Sequence, residues 1–94
     1  MIFFQNDDQG YFAWIADNPD GFVVNVRAKH DPAYTVLHRS QCPMISKTSH
    51  SSGAFTERSY RKVCVTNSAR LSNVAQKLGR PDGSFSKRCQ ICSA

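Results

Sequence analysis

Several things this 94-residue chain lacks narrow what it can be. No stretch approaches the roughly 20 apolar residues of a membrane span, and the start "MIFFQNDDQG" has neither a basic segment nor an adequate apolar run for a secretory signal. A cytoplasmic protein is therefore expected, with no membrane partner. Catalytic signatures are missing too: there is no Ser/His/Asp grouping of recognisable spacing, no glycine-rich phosphate loop and no H-E-x-x-H pattern. Acidic residues are scarce past position 31, where only Glu57 and Asp82 occur. A hydrolytic metal centre needs gathered carboxylates or histidines, so an enzyme is not expected. No internal repeat or linker composition appears, which implies one domain over residues 1–94.

What is present is an ordinary globular composition, 40% hydrophobic and 20% charged, too apolar for a disordered chain. A chain this short buries a modest fraction of its surface and often relies on a metal, disulfides or a partner. The net charge of +5 is unevenly distributed. Residues 1–31 carry two basic groups against five acidic ones, giving −3, and residues 32–94 carry ten against two, giving +8. A positive field of that size favours anionic partners, nucleic acid above all, although basic surfaces also serve plain solubility.

Four strands and one helix are predicted. "YFAWI" at 11–15 and "FVVNVR" at 22–27 are rich in aromatic and β-branched residues, and the turn formers "ADNPDG" between them suggest a hairpin. Phe22, Val24 and Val26 then share one face. After Pro32, "YTVLH" at 34–38 resumes as a third strand and "YRKVCV" at 60–65 forms a fourth, with Val63 and Val65 opposite Lys62 and Cys64. The Ser-rich stretch 46–59, which carries Lys47 and Arg58, looks like a mobile loop. Leu71, Val74, Ala75 and Leu78 fall at i, i+3, i+4 and i+7, Asn67 or Ser68 can cap the first turn, and Gly79 with Pro81 stops the helix. The expected fold class is α+β: a small antiparallel sheet of about four strands, with one C-terminal helix packed on it.

The four cysteines carry the chemistry. In a reducing compartment they are metal ligands or small buried hydrophobes before they are disulfides. Cys89-Gln-Ile-Cys92 has the spacing that lets one tight turn aim two thiolates at an ion. A redox pair of the thioredoxin kind would open a helix, and only two residues follow Cys92. His38-x3-Cys42 supplies a second pair at the end of the third strand, so His38, Cys42, Cys89 and Cys92 would make a closed, structural Zn2+ site. Cys64 competes with His38 for the fourth place, its other role being that of a buried strand cysteine. His30 and His50 lack a cysteine at ligand spacing and are taken as surface residues. Three thiolates and one zinc dication sum to −1, leaving a net charge of about +4, so the basic surface survives the metal. Phosphate contacts are expected from Arg39, Arg61, Lys62, Arg70, Lys77, Arg80, Lys87 and Arg88, provided these share one side. DNA and RNA are not distinguished, and an acidic protein partner is the competing reading.

The segments "PDGFVVNVRAKHDPAYTVLHRSQCPMI", "SYRKVCV" and "GRPDGSFSKRCQIC" resemble a small uncharacterised bacterial Cys/His domain, zinc-ribbon-like and sometimes attached to restriction or helicase-type proteins. The resemblance covers residues 19–92. It implies a strand ending in His38-x3-Cys42, a Lys62-Val63-Cys64 strand, a helix and the terminal Cys89-x2-Cys92, in a restriction, defence or phage context.

Overall fold

The computed structural model describes residues 1–46 and 53–94. Its centre is a mixed five-stranded sheet in the order β1-β4-β2-β3-β5, formed by β1 (Ile2–Phe4), β2 (Phe22–Arg27), β3 (Thr35–Arg39), β4 (Tyr60–Val65) and β5 (Lys87–Arg88). All neighbours are antiparallel except β3 and β5, which run parallel with Val36 opposite Lys87 and Leu37 opposite Arg88. The predicted strands at 22–27 and 60–65 are present as read, and the third is displaced by one residue. Two short edge strands that lie outside the four-strand expectation complete the sheet.

Both faces of the sheet are covered. Val24 pairs with Leu37 and Val63, and their face carries Val26, Val65 and Phe22 against Leu71, Val74 and Ala75 of α3 (Leu71–Lys77). A 3-10 turn at Ser68–Arg70, capped by the Asn67 side chain, leads into α3. The helix ends as its glycine predicts. Gly79 takes φ 92, its N–H donates to the Gln76 carbonyl, and the Arg80 N–H reaches the Ala75 carbonyl. This helix is not the last element, because the chain continues into β5 and a terminal turn.

The other face carries Val23 and Cys64 and is packed by α1 (Asp8–Asp17) and the short α2 (Pro43–Ser46). Here the expected first strand is corrected, because residues 11–15 lie inside α1. Tyr11, Trp14 and Ile15 stand at i, i+3 and i+4 and are the buried side of that helix. Asp7 caps it, its side chain accepting the Gly10 N–H at 2.9 Å. Aromatic content favours a strand only weakly. A capping carboxylate and a one-sided apolar stripe decide for the helix.

The loop expectation also changes. Residues 47–52, including Lys47 and His50, lie outside the described residues. In the remainder of that stretch Phe55 and Thr56 are buried. The Asp8 carboxylate accepts the Thr56 N–H at 2.7 Å and the Thr56 hydroxyl at 2.6 Å, and the Thr56 carbonyl accepts the Asn6 N–H at 2.7 Å. This segment is held into the body through α1. The Cα radius of gyration, 12.0 Å, matches the roughly 12 Å of a compact chain this long. Among the described residues no helix is long and apolar enough to cross a membrane.

Candidate metal centre

Strand pairing brings the two halves of the centre together. His38 sits on β3 opposite Val23, and the chain then turns, the Cys42 N–H donating to the Arg39 carbonyl at 3.0 Å. From the other end of the sequence, β5 lies parallel beside β3 and the Cys89 N–H donates to the Leu37 carbonyl at 2.8 Å. That single ladder bond sets Cys89 beside His38 although 51 positions separate them. The terminal turn closes with the Ala94 N–H on the Cys89 carbonyl at 3.1 Å, which returns Cys92 to the same corner. Arg39 anchors this turn. Its backbone N–H points at the Cys92 sulfur at 3.3 Å, and its guanidinium donates to the carbonyls of Cys92 and Ser93 at 3.1 and 3.3 Å.

The result is a four-donor cluster. The ligand atoms of His38, Cys42, Cys89 and Cys92 all lie within 4.8 Å of one another. His38, Cys42 and Cys89 are buried and Cys92 is half-buried. Cys42 Sγ and Cys89 Sγ are 3.8 Å apart, unbonded. Two thiolates on one tetrahedral ion with bonds of about 2.3 Å stand about 3.8 Å apart, so this pair already has ligand spacing. His38 Nδ1 is buried with no hydrogen-bond partner among the described residues. A buried imidazole nitrogen left unpaired costs free energy that a coordinate bond would remove.

Electrostatics suits a cation. Burial, reinforced by Lys62 and Lys87, pushes His38 down to about 4, which keeps the imidazole in its neutral, ligating form. Burial chiefly drives the Cys42 thiol up to about 12, against the opposing Met44 N–H and with the neighbouring Cys92 and Cys89 thiols adding to the rise. At Cys89 burial also acts upward, yet the backbone N–H groups of Cys92 and Ile91, together with the Cys42 and Cys92 thiols, outweigh it and lower the pKa. Backbone donors at Met44, Ile91, Cys92 and Arg39 thus surround the sulfurs and favour thiolate once a cation supplies the remaining charge. The pattern is the product of two similar turns, in which the N–H two residues after the first cysteine turns back on its sulfur.

Cys64 does not join the cluster. It lies on β4, opposite Val23 and two strands from His38, about 10 Å away at ordinary strand spacing. There it packs in the apolar layer with Tyr11 and Phe55, and burial drives its thiol up to about 12. It serves as a small hydrophobe.

The eight basic residues are scattered rather than gathered. Lys62 is only 2% exposed: its ammonium donates to Asn25 Oδ1 and the Phe55 carbonyl, both at 2.8 Å, among the rings of Tyr11, Phe55 and Tyr60. Arg39 is occupied by the terminal turn, Arg61 donates to the carbonyls of Arg58 and Tyr60, and Arg80 bridges Ser84 and Pro32. Arg70 and Lys77 line one cleft with Met1 and Val65, towards the β1–β4 side of the sheet. Lys87 and Arg88 belong to β5, the edge strand opposite β1. The sequence sign that Lys62 is internal is its alternation with Tyr60 and Cys64 on one face of a central strand. Compared with protein-family models, curated proteins and solved structures, the chain matches none.

Proposed function

We propose that this chain is a non-catalytic binding module stapled by one structural zinc ion held by His38, Cys42, Cys89 and Cys92. The observation that carries the reading is the convergence of these four donors, from two distant parts of the sequence, within 4.8 Å. Three thiolates and an imidazole form a soft, borderline donor set that zinc accepts in tetrahedral geometry. All four positions are supplied by the protein, so the ion has no open position for a catalytic water. The likeness of the His-x3-Cys and terminal Cys-x2-Cys pattern to the small bacterial Cys/His domain supports the same reading. Metal analysis of native protein tests it: one equivalent of zinc per chain is expected, with loss of the cooperative melt on chelation. A metal-free preparation that keeps its sheet signal and its cooperative transition would refute it.

The partner we propose for the basic surface is nucleic acid, bound weakly and without strong sequence preference, an acidic protein being the alternative. Arg70 and Lys77 support it, because they line one cleft and their side chains make no hydrogen bond to another described residue. With four of the eight basic groups engaged internally, two to four phosphates remain as contacts. The slope of log K against log salt is then about −2 to −4 on duplex DNA, at about −0.9 per phosphate. Gel-shift titrations across salt concentrations measure it, and absence of retention at low salt would remove nucleic acid in favour of the acidic protein.

A further inference from the structure

The two metal-binding turns expose large apolar side chains at equivalent places. Met44 stands two residues after Cys42 and is 55% exposed, and Ile91 stands two residues after Cys89 and is 64% exposed. In each turn the backbone N–H of this residue favours the thiolate form of that cysteine. Neither side chain belongs to the core, so packing does not account for its apolar character. Both face one groove of about 400 Å³ whose floor includes His38 and Cys89, with Tyr34, Val36, Ile45 and Lys87 on its walls. The groove lies on the sheet face across β2 and β3 and reaches the β5 edge.

We infer that this groove docks an extended segment of a partner protein that carries large apolar side chains next to aspartate or glutamate. Its size is within the range of recognition pockets, and an apolar groove with a few polar groups beside a sheet edge suits extended-peptide recognition. Charge complementarity sets the sign. Lys87 is the one permanent cation among the described lining residues and no carboxylate lines the groove, while Arg27 stands over the Tyr34 ring at 4.3 Å. An acidic residue beside the apolar anchor meets Lys87 and no carboxylate, whereas a basic segment meets only repulsion. The same features disfavour single-stranded nucleic acid here. Stacking needs an open aromatic face, and the Tyr34 ring is flanked by Arg27 and Tyr60, leaving aliphatic Met44 and Ile91 at the rim. Because the metal turns form two walls, the inference rests on the zinc reading.

The probe is a displayed library of random eight-residue peptides, panned on the full zinc-loaded chain. Enrichment of Asp or Glu adjacent to Leu, Ile, Met or Phe is expected. A synthesised consensus peptide should then lose at least tenfold in affinity with Met44→Glu and with Ile91→Glu. The milder Ile91→Ser should lose severalfold, and Lys87→Glu should weaken binding most at low salt. Phe3→Ser, at the far edge of the sheet, should bind unchanged. Zinc content is measured on every variant, so that a loss of binding is read only where one equivalent of metal is retained. A zinc-loaded chain that enriches no such peptides, or whose consensus peptide binds the Met44 and Ile91 variants as tightly as wild type, overturns the groove and leaves the zinc reading standing. A chain that enriches them at this groove with no metal bound overturns the zinc reading and leaves the groove.

Discussion

Among the described residues Lys62 is the cation whose environment departs furthest from water, and its titration is measurable. Burial lowers its pKa from 10.5 to about 8, with Arg61 adding to the fall and the charges of Asp8 and Cys64 opposing it. Folding therefore disfavours the ammonium. Between pH 8 and 10.5 the unfolded chain holds a proton on this residue that the folded chain has released, so stability rises with pH across that window. The whole shift corresponds to about 3 kcal/mol, of which about 2 kcal/mol accrues between pH 7 and pH 9.5. Other buried groups act in the opposite sense: Cys64 is held near 12 by burial, and Tyr11 is pushed further up still. Their unfolded forms ionise first, which costs stability as pH rises. Comparing wild type with Lys62→Met cancels these contributions, because both proteins keep them. In denaturant titrations at pH 7.0, 8.0, 9.0 and 9.5, the free-energy difference should move in favour of wild type by about 2 kcal/mol. A difference constant to within about 0.5 kcal/mol would mean that Lys62 is solvated and titrates as a free lysine.

Other consequences of the structure are open to direct measurement. Cys42→Ser, Cys89→Ser and His38→Ala should each abolish stoichiometric metal retention, whereas Cys64→Ser should keep one equivalent and lose about 1–3 kcal/mol for placing a hydroxyl in the apolar layer; metal analysis with denaturant melts separates the two classes. Tyr11→Phe removes a buried hydroxyl that donates to the Ile45 carbonyl at 2.7 Å, and should cost about 1–3 kcal/mol in the same melts by leaving that carbonyl unpaired. Asp8→Ala removes the acceptor for two Thr56 donors; hydrogen exchange should then show the Thr56 amide opening far more readily, from protection in wild type near that of Val63.

The chain's own residue pattern determined the metal ligand candidates, the strands at 22–27 and 60–65, and the helix with its glycine stop. Each is a local signal: a turn of fixed spacing, β-branched alternation, or a one-sided stripe ending in Gly79. The N-terminal helix was equally local, written in the Asp7 cap and the 11, 14, 15 spacing, and was obscured by aromatic content that suits a strand almost as well. Which of His38 and Cys64 joins the other three donors was not a local matter. Each lies on a strand beside an apolar residue, and the choice was made by β5 docking parallel to β3, which carries Cys89 to His38 and leaves Cys64 two strands away. The fate of the basic residues was tertiary for the same reason. A lysine between Arg61 and Val63 reads as a surface charge until α1 and the segment around Phe55 close over it, and an arginine inside a turn reads as a phosphate contact until the chain end returns to take its donors. Residue identity sets what a side chain can bond. Only the assembled sheet decides which partner stands within reach, because partners such as Cys92 for Arg39 and Asn25 for Lys62 lie tens of positions away in the chain.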